Sequence, residues 1–159
     1  MRFLSTLLFI AVLAYGAWPY YHVYGLDRAL QADNREKLEQ LIDIAAVRTA
    51  RKQQLDHALD RTVGSDPGNP VTQMLRQGAT ALGGSSVDAT VNLDWVRETL
   101  AGRSLRPGEP YPSLIDRIDF AFFEAPAEFL IRLGPLGDHP IHIVMTLDGW
   151  QWRVSAIYD

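Results

Sequence analysis

The sequence predicts an α+β fold: an N-terminal transmembrane helix, then several helices packed on a curved four-stranded antiparallel sheet. Three observations lead there. Residues 3–18 are apolar and uncharged behind one cation, Arg2. From about 25 to 102, apolar residues recur at helical spacing between capping residues. From 115 to 158 the period changes to two, with a strong hairpin signal at Asp148-Gly149. The expected organisation is a membrane segment over 1–24 and one α+β domain over 25–159. That domain is helical over 25–102 and a β-meander over 115–158.

A helix rises about 1.5 Å per residue, so Phe3–Trp18 spans about 24 Å of a hydrocarbon core about 30 Å thick. The shortfall closes if the helix continues through Pro19, Tyr20, Tyr21 and Tyr24, whose amphipathic rings suit the interface. A secretory signal has the same charged start and ends on a small-x-small site, which Ala14-Tyr15-Gly16 matches loosely. Trp18, Pro19 and the tyrosines favour an uncleaved anchor, with a cleaved signal as the alternative. Arg2 and the α-amino group stay on the cytoplasmic side by the positive-inside rule. The expected location is therefore a bacterial inner membrane, crossed once, with the domain in the periplasm. The chain has no cysteine, so an oxidising compartment imposes no disulfide or thiol chemistry. A lipid-modified N-terminus, which needs a cysteine, is ruled out.

Within the domain, Leu26–Leu30 extends the helix leaving the membrane, and Ala32-Asp33 turns the chain. Asp33-Asn34-Arg35-Glu36 reads as a capping box opening a short helix with Leu38, Leu41 and Ile42 inward. Asp43 caps a third helix, Ala45 to Thr62, with Val47, Leu55, Ala58, Leu59 and Val63 as its stripe. Residues 65–70 are dense in turn formers, residues 71–82 are weakly helical, and Gly83-Gly84-Ser85-Ser86 is expected to break the chain. Asn92 caps a helix over Asp94–Ala101 that stops at Gly102.

In the meander, Ile118, Phe120 and Phe122 are expected on one face of the first strand, with Phe129, Ile131 and Leu133 on the next. A turn at Asp148-Gly149 pairs Leu147 with Trp150, Met145 with Trp152, Ile143 with Val154 and Ile141 with Ala156. Phe120, Phe122, Phe129, Met145, Trp150 and Trp152 are then candidates to line a cavity beneath the sheet, or to fill a closed core there.

Net charge is −4, from 15 basic and 19 acidic residues. No clustered basic stripe argues for nucleic acid, so none is expected as a partner. His139 and His142 are the only close histidine pair; on a strand their spacing points them to opposite sides, and no third ligand stands nearby. No metal or cofactor is expected. Asp116, Asp119 and Glu124 with His142 form the one carboxylate set suited to a hydrolase. Gly-x-Ser-x-Gly and the phosphate-binding glycine patterns are missing. Arg48, Arg51 and Lys52 share a helical face suited to anionic head groups, but Asp56 and Asp60 follow at i,i+4 spacing and make an internally paired face the expected reading.

Several stretches together carry a family likeness: Ala29-Leu30, Asp33, Leu38, Leu41-Ile42-Asp43, Val47-Arg48, Gln54-Leu55, Asn92-Leu93-Asp94, Leu100-Ala101-Gly102, Gly149-Trp150-Gln151-Trp152-Arg153-Val154 and Ile157. The chain resembles the bacterial domain-of-unknown-function family 2939. That resemblance implies an exported or membrane-anchored protein and transfers no activity or site residue. Helices followed by a bent antiparallel sheet also resemble the cone-shaped nuclear-transport-factor-like fold, in which a pocket is common.

The expected function is that of a membrane-tethered, non-catalytic periplasmic domain. It contacts the membrane through residues 3–18 and binds an envelope protein partner or a small apolar ligand. The alternatives are a hydrolase using Asp116, Asp119 or Glu124 with His142, and a purely structural role in envelope assembly.

Overall fold

A computed structural model of the chain describes residues 2–63, 70–102, 106 and 108–158. Five helices precede the sheet: α1 (Arg2–Gln31), α2 (Arg35–Leu41), α3 (Ile44–Val63), α4 (Pro70–Thr90) and α5 (Leu93–Ala101). A single 3-10 turn, Ile115–Arg117, leads into β1 (Ile118–Ala125), β2 (Glu128–Leu133), β3 (Ile141–Asp148) and β4 (Gln151–Tyr158). The four strands are antiparallel neighbours in sequence order, so the fold is α+β as the periodicity predicts.

Helix α1 is 30 residues, about 45 Å, and runs unbroken through position 24/25, where the sequence suggested a boundary. Pro19 lies inside it and removes one bond from the helical ladder where the helix turns from exposed to packed. From there Pro19, Val23, Leu26, Asp27 and Leu30 form one buried stripe. At about 1.5–3 kcal/mol each, Val23, Leu26 and Leu30 alone contribute on the order of 5–9 kcal/mol, comparable with a domain's whole net stability. The C-terminal half of α1 is therefore a core helix. It shares one apolar cluster with Leu38 and Leu41 of α2, Val96 and Leu100 of α5, and the inner face of the sheet.

Local signals place the caps. Asp43 accepts from the Ala46 amide at 3.0 Å and Asn92 from the Trp95 amide at 2.9 Å, each opening its helix as expected. Gly102 ends α5 at φ +69, and the Arg117 guanidinium donates to the Leu100 carbonyl there. The α2 cap is displaced by one residue. Asn34 accepts from the Lys37 amide at 3.0 Å, while Asp33 adopts φ +50 in the preceding turn. Helix α4 continues through Gly83–Ser86 instead of breaking. Gly83 serves close approach, since a Cβ there would collide with the Leu55 side chain of α3. The turn expected over 65–69 and part of the connection at 103–107 lie outside the described residues.

Register shifts correct the strand phases. In β1, Ile118 pairs with Leu133 but Phe120 with Arg132, so Asp119 is the extra residue. The bulge turns Ala121 and Phe123 inward with Ile118 and leaves Phe120 and Phe122 on the outer face. The last hairpin turns at Gly149-Trp150, one residue later than expected, with Asp148 opposite Gln151. Gly149 supplies φ +61 at the first loop position, as II′ hairpins require. Leu147 consequently faces Trp152 and Met145 faces Val154. A bulge at Ser155 then brings Ile157 opposite Ile143, so the inward place expected for Ala156 falls to Ile157. The free edge of β4 is covered by Ile42, which bridges to Val154, and by the Asp43 amide, which donates to the Val154 carbonyl at 2.9 Å.

Asp27 is the one charged side chain in the buried set among the described residues. Its carboxylate accepts from the Leu114 amide at 2.6 Å and from the Gln31 side chain at 2.8 Å, tying α1 to the start of the 3-10 turn. Replacing Asp27 with Ala leaves the buried Leu114 amide unpaired, and chemical denaturation should register a loss of about 1–3 kcal/mol. Nearby, burial pushes the Tyr111 phenol well above its ordinary 10.0, against the opposing pull of Arg117 and Arg97, and its hydroxyl donates to the Arg97 carbonyl at 3.0 Å. The unfolded chain loses that proton near 10.0 while the folded chain keeps it, so stability falls as pH rises past 10. In thermal melts, Tyr111→Phe should flatten that alkaline fall relative to the unmodified chain.

Candidate functional site

The N-terminal half of α1 stands apart from the domain with its apolar side chains bare. Phe3, Leu4, Leu7, Leu8, Phe9 and Ile10 are all at least 60% exposed. Helix α1 is the one helix among the described residues long and apolar enough to cross a membrane, and a signal sequence has the same composition. At its junction with the domain the exposed run meets a collar of aromatic side chains. The Tyr15 hydroxyl donates to the Pro126 carbonyl, and the Trp18 indole N–H donates to the Trp150 carbonyl at 3.3 Å. Two residues on, the Tyr20 hydroxyl donates to the Ala121 carbonyl at 3.2 Å. Ring contacts reinforce these bonds, with Tyr15 stacked on Phe123 at 5.8 Å and Tyr20 edge-on to Phe129 at 5.0 Å.

Directly above the collar, α1 and α2 enclose a groove of about 410 Å³. Tyr21, Tyr24, Gly25 and Arg28 line it from α1, Lys37, Gln40 and Leu41 from α2, and Gln151 closes its lower end. These α1 residues fall at i, i+3, i+4 and i+7, the face adjoining the buried stripe. No carboxylate lines the groove. Arg28 lies over the Tyr24 ring at 5.8 Å and Lys37 reaches Gln40 at 3.4 Å; among the described residues neither pairs with an acid. The arrangement offers an apolar wall with two cations at its rim. The sequence places these tyrosines at the membrane flank; their helical spacing with Arg28 is the signal that they share a face with it.

The six residues expected to line a cavity are divided by the structure. Phe129, Met145 and Trp152 are fully buried in the core, where Phe123, Phe129 and Trp152 pack edge to face. Phe120 and Phe122 lie on the outer face, in contact with one another at 4.8 Å and with Arg132 over Phe120 at 5.4 Å. Trp150 is 83% exposed at the hairpin tip. The six therefore do not share one surface, because the β1 bulge and the displaced turn each move their aromatics out of the inner face.

The carboxylates expected of a hydrolase are likewise dispersed. Asp119 is held by Arg132, and Glu124 lies five residues farther along β1, roughly 16 Å away. Asp116 sits in the 3-10 turn with its amide on the Ser113 hydroxyl at 3.3 Å. His142 faces Arg132 from β3, two strands from β1. His139 occupies the preceding loop at φ +45, and the described residues contain no group of three metal-ligating side chains. The basic face of α3 makes contacts both within the helix, where Arg51 donates to Gln54 at 2.9 Å, and with its neighbours. Lys52 pairs with Asp88 of α4 at 2.7 Å, Arg48 donates to the Val91 carbonyl at 2.8 Å, and Arg51 lies over Trp95 at 5.7 Å.

Comparison with known proteins gives a family and no activity. No curated protein and no solved structure matches the chain. A family match spans residues 8–99, from the exposed half of α1 into α5, so the closing hairpin grouped with the family likeness lies beyond the match. As that match covers more than half of the chain, the protein belongs to the family described as Protein of unknown function (DUF2939).

Proposed function

We propose that this protein is a membrane-tethered, non-catalytic periplasmic domain that binds a small amphiphilic ligand beside its own anchor. The observation that carries the reading is the division of α1. One half is apolar and bare, and the other half is an indispensable part of the core. Bare Phe, Leu and Ile side chains in that number are stable in lipid and costly in water. Arg2 at the start of the helix supports an external domain by the positive-inside rule. Hydrogen bonds from Tyr15 and Trp18 to the sheet support an uncleaved helix, since cleavage after Gly16 would remove the Tyr15 contacts. The groove between α1 and α2 supports the ligand. An apolar body fits against Tyr21, Tyr24 and Leu41, and an anionic head meets Arg28 and Lys37.

The full chain should remain in the membrane pellet after alkaline carbonate extraction and keep residues 1–16 on N-terminal sequencing. Ile10→Lys places a cation near the middle of the span at a cost of about 2.5–3.5 kcal/mol and should shift the chain toward the soluble fraction. A wild-type chain released by carbonate would overturn the tether. For the groove, the full chain in a non-ionic detergent should melt higher with lysophosphatidylglycerol than with lysophosphatidylcholine. At a hundredfold excess over Kd the gain is about 2.7 kcal/mol, or several degrees. Arg28→Gln with Lys37→Gln should abolish the difference; equal melting with both lipids in the unmodified chain would remove the ligand reading.

A further inference from the structure

We infer that the two hairpin tips of the sheet, residues 126–127 and 149–150, rest in the headgroup layer of the bilayer that α1 crosses, with Trp150 as the inserted side chain. The inference rests on the membrane reading of α1 and adds a second contact with the same bilayer.

The depth of the tips follows from their bonds to α1. Trp18 closes the apolar run, where amphipathic rings sit at the interface. Its indole donates to the Trp150 carbonyl at 3.3 Å, so the second tip lies level with it. Tyr15 is three residues, about 4.5 Å, nearer the middle of the run, and its hydroxyl donates to the Pro126 carbonyl of the first tip. Both tips therefore meet α1 at the end of its apolar segment. The alternating direction of the strands sets Gly134–Pro140 at the opposite end of the sheet, away from that level.

The chemistry of the tips fits that position. Trp150 is 83% exposed although it is the bulkiest residue type, and its tip neighbour Gly149 carries no charge. Pro126 and Ala127 form the other tip, also uncharged. Behind them stand Glu124, Glu128 and Asp148, all exposed. Carboxylates are costly to carry below the headgroups, so they limit penetration to the loops and favour a zwitterionic surface over a strongly anionic one.

The chain has no cysteine, so single sites can be spin-labelled in the full-length protein. Labels at Ile10→Cys, Ala127→Cys, Trp150→Cys and Leu136→Cys are to be compared in phosphatidylcholine nanodiscs. Collisions with dissolved oxygen and with a water-soluble nickel complex report their depth. Position 10 should read as lipid and position 136 as water. Positions 127 and 150 should read as interfacial, with nickel accessibility several-fold below that at 136. Ala127→Cys leaves Trp150 in place, so loss of the tryptophan cannot account for a negative result there. Position 10 reading as water would overturn the tether itself. Position 10 in lipid with 127 and 150 as accessible as 136 would overturn the tip contact alone. Dipolar broadening between labels at position 150 of two copies would show a second chain covering the tip and would also overturn it.

Discussion

Between Pro19 and Leu30 a single helical stripe is pressed against the inner face of the sheet, and the other elements are arranged to keep it there. Val23, Leu26 and Leu30 fill the groove between sheet and helices, while Asp27 reaches sideways to hold the Leu114 amide. That one carboxylate connects the first helix to the turn from which β1 begins. Without the stripe, the sheet would present Phe129, Ile131, Met145 and Trp152 to water. A four-stranded sheet with one apolar face has no stability of its own until such a cover is in place. The same helix must also present Phe3–Leu13 outward, so its sequence is written for two surroundings in succession. Pro19 marks the change.

The remaining helices bury Leu38, Leu41, Val47, Val87, Val96 and Leu100 in the same core and are oriented by contacts at their ends. Arg117 satisfies the carbonyl end of α5 and Arg48 that of α4, each placing a cation where the helix dipole is negative. Arg97 meets Asp33 at 2.9 Å, fixing α5 to the turn after α1. These contacts lie partly in solvent, so their worth is chiefly in orientation. The groove lined by Tyr24, Arg28 and Lys37 lies on the far side of that turn, between α1 and α2.

Features governed by short-range chemistry were legible from the residues alone. Asp43, Asn92 and Gly102 act where an amide or a left-handed turn needs them, within three residues of their own position. The four strands and the buried faces of Phe129, Ile131, Met145 and Trp152 follow from strict alternation. What escaped was set by partners far along the chain. Phe120, Phe122 and Phe123 offer aromatic rings on both faces of β1, so alternation cannot choose between them; the bulge at Asp119, held by Arg132, decides. Gly83-Gly84 reads as a break because glycine weakens an isolated helix, yet the close passage of Leu55 on α3 makes the missing Cβ useful. The candidate groove escaped for a related reason. Tyr21, Tyr24 and Arg28 carry a helical period, but only the fold of α2 shows what stands opposite them.

The continuity of α1 between Gly16 and Val23 also fixes reach. A flexible linker of twenty residues lets a tethered domain wander about 25 Å from its attachment. This chain has no such slack between its apolar run and its core. With α1 as the tether, the groove stays at one height and at one azimuth about the helix axis. A molecule diffusing in the adjoining leaflet would then meet the groove by a two-dimensional search at constant height.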